Sequence, residues 1–470
     1  MNATLGRTRR IHFVGIGGIG MSGIAELLVN LGYAVSGSDA KRSDITDRLA
    51  AMGARVAIGH DASYVGDADV VVTSSAVAAG NPEVAAARER HVPVIPRAEM
   101  LAELMRLRFG IAIAGAHGKT TTTSMVALML ERAGLDPTAV IGGRLSAFGS
   151  NARLGGGACM VVEADESDRS FLKLSPAIAV ITNIDREHME SYGSFDRLVT
   201  AFADFADKVP FYGAVVACVD DEHVQALLPR ITRRTVTYGF DAAANVRGEH
   251  ARTDGRSGSC DVRYDVRGVP DGSGSGRLSL AVPGLHNLQN ALGAVAVGLE
   301  LGVPFDRISG ALAEFHGVER RYEVRGTARG VTVVDDYGHH PTEIAAVLAA
   351  ARAGQPSRLV AVFQPHRYTR TRDLMDDFGR ALAAADVVVL TDIYSAGEPP
   401  MAGVTLDALA AVVSRACAGP VHVVRALGEI PAAVAALVKD GDLVVTLGAG
   451  SIGATADRIL RAIDAGEVAR

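Results

Sequence analysis

At 470 residues the chain is too long for one hydrophobic core, and at ~150 residues per domain about three domains are expected. The composition is globular, 48% hydrophobic and 21% charged with no tryptophan, and 47 basic against 53 acidic side chains leave a formal charge of −6. That balance lacks the basic stripe of a nucleic-acid binder, so no nucleic-acid partner is expected and a small-molecule enzyme is the default class.

The first predicted element is an apolar strand running into a glycine turn, IHFVGIGGIGMSG (residues 11–23), where Gly15-x-Gly17-x-x-Gly20 leads into a helix. Such a loop aims backbone N–H groups and a helix N-terminus at an anion. Asp39, at the end of the next apolar run AVSGSD, completes the look of a dinucleotide-binding opening. A nicotinamide cofactor, another phosphate-bearing ligand and a purely structural turn are all open at this point. Arg7, Arg9 and Arg10 ahead of the run resemble the start of a signal peptide, but its glycines, Glu26 and the missing cleavage pattern favour strand, turn and helix. No run of about 18 residues is free of charge, His, Asn and Gln, so no membrane insertion is expected and the protein is read as cytoplasmic.

Strand-length apolar runs then alternate with Ala/Leu-rich helical patterns almost to the end, the mark of parallel α/β units. The first set continues through ARVAIG, DADVVVTSSAV and VPVIP. A fresh set starts at FGIAIAG, with a helix over TTTTSMVALMLERAG and strands in ACMVVEADE and PAIAVITNID. Residues 241–280 are rich in Gly, Ser and Asp without helical period, and read as ragged hairpins at the edge of the middle domain. PGLHNLQNALGAVAVGLELG reads as a helix that Gly302 can end. A third set runs from GVTVVDDYG through RLVAVFQPHR, DVVVLTDIY and VHVVRAL to DLVVTLGAGSIG. The expected fold is three α/β domains with joints near residues 107 and 324 and no solenoid repeat. Cys159, Cys218, Cys260 and Cys417 are far apart and form no CxxC pair, which suits scattered thiols in a reducing compartment.

The closing GAGSIG matches GxGxxG a second time, at Gly448, Gly450 and Gly453, and here a structural turn is the favoured reading. IAIAGAHGKTTTTSM is the sharper signal. A strand ends at Ala114, Gly115 and Gly118 bracket a turn, and Lys119 and Thr120 open a helix. Such a loop wraps N–H groups around phosphate oxygens, with the lysine near the β/γ-phosphates and the hydroxyl facing Mg²⁺. Ile113 stands where the common motif has its first glycine. No N-K-x-D guanine signature is present, so ATP is preferred over GTP. A P-loop needs a carboxylate on a neighbouring strand to help hold the metal, and CMVVEADESD offers Glu163, with Asp165 and Glu166 just beyond. His188, in REHMESY, follows another strand and reads equally as ligand or structural histidine. DDYGHHPTE and FQPHRYTRTRD both follow strands, with Pro341 placed for the first turn of a helix. Arg367, Arg370 and Arg372 read either as a basic surface helix or as a clamp for carboxylates or phosphates.

In their order and spacing these motifs, with ERRYE and HNLQNA, resemble the Mur ligases, the ATP-dependent enzymes of peptidoglycan precursor synthesis, over essentially the whole chain. The resemblance implies an N-terminal Rossmann-like UDP-sugar-binding domain (1–107), a central P-loop ATPase with a mixed sheet (108–323) and a Rossmann-like C-terminal amino-acid-binding domain (324–470). The first glycine loop then seats a UDP diphosphate rather than NAD. Carried over position by position, the family pattern gives Gly115, Ala116, His117, Gly118, Lys119, Thr120 and Thr121, with Asn290, Arg321 and Asp336, to ATP. It makes Thr120, Glu163 and His188 ligands of Mg²⁺, and Lys119, Glu163 and His188 the catalytic set. Gly15, Gly17, Gly18, Ile19, Gly20, Ser38, Asp39, Ser74 and Ser75 would contact the UDP-sugar, and Tyr337, His339, Arg367 and Arg370 the amino acid.

The implied reaction moves the ATP γ-phosphoryl onto the lactyl carboxylate of UDP-N-acetylmuramic acid, and the amine of L-alanine then attacks the acyl phosphate. Closure of the C-terminal loops over the central domain, hinged near residue 324, is expected to exclude water, and ligand-dependent scattering profiles test it. Selection against glycine and serine is expected to be modest, since one methylene is worth ~1–3 kcal/mol. Monomer or weak homodimer is the expected assembly. One departure stands out: sibling ligases carry a carbamylated lysine fifteen residues after the metal histidine, where this chain has Ala203 and its nearest lysine is Lys208. The competing readings are a tripeptide-recycling ligase of the same family, a non-catalytic P-loop regulator, and a nicotinamide dehydrogenase that would leave the P-loop idle.

Overall fold

The computed structural model describes residues 5–74, 76–78, 80–145 and 150–466. The chain forms two compact units, one running to Glu249 and completed by Asp261–Leu278 and Gln289–Glu314, the other comprising His250–Cys260, Ser279–Leu288 and the chain from Phe315 onward.

The strands β1 (Arg10–Val14), β2 (Ala34–Asp39), β3 (Arg55–Ile58), β4 (Val70–Thr73) and β5 (Val94–Pro96) form a sheet of order β3-β2-β1-β4-β5. All its pairings are parallel. Ile11, Phe13 and Val14 of β1 are fully buried, because a parallel sheet is covered on both faces. The order reverses between β1 and β4, so the loops after these strands diverge and leave a crevice at their carboxyl ends.

The second sheet contains β6 (Phe109–Ala114), β7 (Thr138–Leu145), β8 (Ser150–Arg153), β9 (Cys159–Glu163), β10 (Ile178–Ile181), β11 (Ala214–Cys218), β12 (Thr235–Gly239), β13 (Val246–Thr253), β14 (Gly258–Asp265) and β15 (Ser273–Leu280). Their order is β15-β14-β13-β12-β11-β10-β6-β9-β7-β8. It is a mixed sheet: β6 pairs parallel with β9 and β10, while β7 and β8 pair antiparallel. The helix Lys119–Arg132 follows β6 and is buried from Thr120 to Leu130. Burying Met125, Leu128 and Met129 at ~1.5–3 kcal/mol each fixes the amino end of this helix against the sheet. The stretch 241–280, expected as ragged hairpins, holds three eight-residue strands. In β14, Cys260 and Val262 are buried while their neighbours are not, a period of two that the Gly and Ser content masks in the sequence.

The third sheet joins β16 (Glu323–Ala328), β17 (Val331–Asp336), β18 (Arg358–Phe363), β19 (Val387–Leu390), β20 (Val421–Val423) and β21 (Asp442–Leu447) in the order β16-β17-β21-β18-β19-β20. Only β16 runs antiparallel to its neighbour. Alternate residues of β18 enter separate cores: Leu359, Ala361 and Phe363 on one face, Val360 and Val362 on the other. The helix Pro341–Ala353 starts with Pro341 in its first turn and a capping box between His340 and Glu343. Among the described residues no helix is long and apolar enough to cross a membrane.

Candidate functional site

The P-loop lies at the carboxyl end of β6. Gly115 and Gly118 have φ of +139° and +79°, a backbone that side chains rarely adopt. Crowding enforces the same choice. A Cβ at Gly115 would stand 2.0 Å from the Thr182 hydroxyl, and one at Gly118 would stand 2.5 Å from Oδ1 of Asn290. Asn290 is therefore brought onto the loop from more than 150 residues downstream. The loop is pinned from β10: Asn183 accepts from the His117 N–H at 2.8 Å, and Thr182 and Asn183 donate to the His117 carbonyl. His117 Nε2 pairs with Asp185 at 2.8 Å.

Lys119 donates to the carbonyls of Gly115 and Ala116, at 2.6 and 3.0 Å, and to Glu166 at 2.9 Å. Burial works against the ammonium form, but Glu166, Glu163 and Asp165 hold Lys119 above its ordinary pKa. Burial pushes the Glu166 carboxyl up to about 7 against the pull of Lys119. Thr120 donates to Glu163 at 3.2 Å, and Glu163 also accepts from the Gly142 N–H. Thr121 sits one residue further into the buried helix.

His188 opens a short helix with φ of +55°, a strained value that turns its ring toward the same acidic loop. Its Nε2 lies 4.0 Å from Glu166 and 3.7 Å from Glu187, and the three residues can bring ligand atoms within 4.8 Å of one another. The donors are hard oxygens and one imidazole, and with Thr120 and Glu163 they fit a hard divalent cation better than a thiophilic one. Glu166 and Glu187 were not assigned from the sequence. Both adjoin motif residues, Glu166 in EADESD and Glu187 before His188, but adjacency in sequence does not say which carboxylate turns inward.

At the mouth of the first sheet, Gly15 has φ of +80° and donates to the Ser38 carbonyl. Gly17 donates to Asp39 at 2.9 Å, so the acidic residue stands against the glycine loop. Gly18 is exposed, and Gly20 faces Arg97, which pairs with Asp165 at 2.8 Å. Ile19 begins the following helix, and Ser74 directly follows β4. Ser75 lies outside the described residues. Ser38 needs correction as a ligand contact: its side chain is fully buried and donates to Glu83, itself held by His12 and His60 at 2.6 and 2.7 Å. The hydroxyl is consumed by a buried carboxylate that must be satisfied.

In the other unit, Asp336 ends β17 and accepts from the N–H groups of Tyr322 and Gly338. Burial pushes its carboxyl up to about 6, offset in part by Arg321. Tyr337 carries the guanidiniums of Arg320 and Arg321, each 5.1 Å from its ring. A ladder of rings then links Tyr337 to His339 (5.4 Å), His339 to His366 (5.6 Å) and His366 to Tyr394 (5.5 Å). Arg370 reaches His366 Nδ1 at 3.1 Å, and the Arg367 N–H donates to the Tyr394 carbonyl with φ of +71°. The structure thus gathers Tyr337, His339, Arg367 and Arg370 around His366 and Tyr394, which sequence reasoning did not assign. Tyr394 follows β19, and the rule that ligands meet strand carboxyl ends covers it too.

Three family models match the chain: the Mur ligase family catalytic domain over residues 10–109, the Mur ligase middle domain over 113–298 and the Mur ligase glutamate ligase domain over 320–450. The chain belongs to the Mur ligase family, with its three-domain α/β fold. It is 55% identical over 449 residues to the UDP-N-acetylmuramate–L-alanine ligase of Pelobacter propionicus, covering 95% of this chain and 96% of that one. The crystal structure of UDP-N-acetylmuramate-alanine ligase from Thermotoga maritima superposes with a TM-score of 0.80 at 30% identity, covering 96% and 98% of the two chains. That of a UDP-N-acetylmuramate:L-alanyl-gamma-D-glutamyl-meso-diaminopimelate ligase from Neisseria meningitides superposes with a TM-score of 0.60 at 31% identity, covering 67% of this chain and all of that one.

Proposed function

We infer that the chain ligates L-alanine to the lactyl carboxylate of UDP-N-acetylmuramic acid, with cleavage of ATP to ADP and phosphate, in cytoplasmic peptidoglycan precursor synthesis. The observation that carries this reading is the meeting of Lys119, Thr120, Glu163, Glu166 and His188 around one P-loop mouth, in a chain more than half identical to an alanine ligase.

Amide formation from a carboxylate in water is uphill, so the carboxylate must first gain a leaving group. Phosphoryl transfer to an anion brings like charges together and needs concentrated positive charge. Lys119 and the amino end of its helix supply it from this chain, and Gly115–Thr121 with Asn290 hold the ATP phosphates. Arg321 and Asp336 complete the ATP contacts. Thr120, Glu163 and His188 would hold a divalent cation, Mg²⁺ in this reading, which would supply charge neutralisation on the phosphates. Gly15, Gly17, Gly18, Ile19, Gly20, Asp39, Ser74 and Ser75 hold the UDP-sugar. Tyr337 and His339 line the amino-acid pocket, whose carboxylate Arg367 and Arg370 grip. In this reading the three domains span residues 1–107, 108–323 and 324–470, in a monomer or weak homodimer.

Phosphate release from Mg²⁺-ATP tests the reading, with UDP-N-acetylmuramic acid and each of L-alanine, glycine, L-serine and the tripeptide L-alanyl-γ-D-glutamyl-meso-diaminopimelate. Release is expected to require both UDP-sugar and L-alanine. Release with the tripeptide alone would transfer the chain to the recycling activity, and nucleotide binding without release would make it a regulator.

A further inference from the structure

The P-loop and first glycine loop sit at the carboxyl ends of β6 and β1, and a cavity of about 940 Å³ lies at the other ends of these strands. Arg9 precedes β1, Arg106 and Arg108 precede β6, and Ala158 precedes β9; all four line it. Leu31, Leu107 and Phe109 give it apolar patches within a lining that is mixed polar and apolar, and no carboxylate is among its described lining residues.

The charges are unusual for a chain of net charge −6. The Arg9 guanidinium donates to the carbonyls of Gly6 and Thr8, at 3.1 and 2.8 Å, and that of Arg108 to the carbonyl of Gly157. Among the described residues neither guanidinium has a carboxylate within ion-pair distance. Arg106 meets Glu103 at 3.0 Å, a pair exposed enough to be worth little. Asp136 feels Arg108, but its carboxylate is held by Arg153 and the Gly156 N–H, each at 2.6 Å. Carbonyl hydrogen bonds leave a guanidinium's charge unpaired with any anion of the chain, so an incoming anion can form bidentate ion pairs here without displacing a strong one.

We propose that this cavity binds an amphiphilic anion, an organic phosphate with an apolar tail. The guanidinium fork suits phosphate geometry, the apolar patches beside it suit a tail, and the volume lies in the range of small-molecule sites, ~300–1,000 Å³. The occupant touches Leu27 and Leu31 on the helix after β1, Met160 on β9 and the connecting residues 106–108, so it bridges the first two sheets at their joint. The site is distinct from the catalytic mouth and needs no assumption about the reaction.

Dodecyl phosphate below its micelle concentration, titrated calorimetrically into the full chain, tests this. One saturable site per chain is expected, persisting in saturating UDP and weakened at least tenfold by the double variant Arg9→Ala/Arg106→Ala. Both arginines are exposed, and an unchanged melting temperature verifies that the variant is folded. A fall in wild-type affinity with added salt is an independent sign of the charge contribution. The proposal is overturned by absence of saturable binding, by equal binding of uncharged decyl maltoside, by unchanged affinity in the double variant, or by displacement with UDP.

Discussion

The chain carries the pattern GxGxxG twice, and the two loops have different surroundings. In the last loop, Gly448 is buried, its carbonyl accepts from Arg320 at 2.6 Å, and the Ile452 N–H donates to Gln364 at 3.0 Å. A Cβ on Gly453 would lie 2.3 Å from the Arg320 guanidinium carbon, and one on Gly450 2.7 Å from Gln364 Oε1. The protein's own side chains occupy the space where an anion would sit. In the first loop Asp39 takes the Gly17 N–H, while Gly18 remains exposed at the crevice where the strand order reverses. Glycines report a tight strand-to-helix turn, and what stands opposite the turn decides whether it is a site.

The largest expected effect separates both glycine loops from the P-loop. Lys119→Met should lower kcat/KM by about 10²–10³-fold through loss of charge at the transferring phosphoryl, while UDP binding, measured calorimetrically, stays within twofold. Loss of UDP binding in that variant would mean that the first loop does not act as a separate seat.

Alanine in each glycine loop tests the contrast directly. Gly17→Ala places a Cβ 2.9 Å from the Asp39 carboxylate and should raise the KM for UDP-N-acetylmuramic acid about tenfold, ~1.4 kcal/mol of binding. Gly453→Ala drives into Arg320, tied to Asp335 and Gly448, and should cost about 1–3 kcal/mol of stability as overpacking does. Its KM should not change. Reversed outcomes in urea melts and steady-state kinetics would break the comparison.

Asp336, whose carbonyl accepts from the Gly448 N–H, links the last loop to pH. Burial lifts its pKa from 3.8 to about 6, so the folded chain holds this proton more tightly than the unfolded chain. Below about pH 4 both states are protonated and the carboxyl costs nothing. As pH rises through 6 the folded state must ionise a buried group and loses about 2–3 kcal/mol relative to its acid-side stability. Asp336→Asn should remove that loss, giving unfolding free energies that diverge from wild type between pH 4 and 6 and coincide below. Parallel profiles would show that the buried carboxyl is already compensated.

Ser38→Ala is the smallest test. Its hydroxyl serves buried Glu83, so about 1 kcal/mol of stability should be lost with the UDP-sugar KM unchanged. A raised KM with full stability would restore Ser38 as a ligand contact.

Much of the site was legible because its chemistry is bound to local pattern. GAHGKT needs two glycines and a lysine in fixed order to turn a strand into a phosphate-facing helix, and Gly115 and Gly118 adopt the positive φ that order demands. Pro341 marked a helix start for an equally local reason, its preset φ. The alternation of strand and helix periods likewise dictated α/β architecture, since only parallel sheets covered on both faces satisfy it.

Tertiary structure alone decided the rest, because it depends on which side chains meet across distant segments. Nothing local to Asn290 places its amide over Gly118, and nothing near Ser38 shows that Glu83 consumes its hydroxyl. Glu166 was distinguishable from its acidic neighbours only by packing against Lys119 and His188. The two GxGxxG loops, alike as strings, diverge because Arg320 and Gln364 arrive from other strands' ends to fill one of them. Sequence determines what a short segment can do with its own backbone; the partners that complete or block it come from elsewhere in the chain, and only the packed fold selects them.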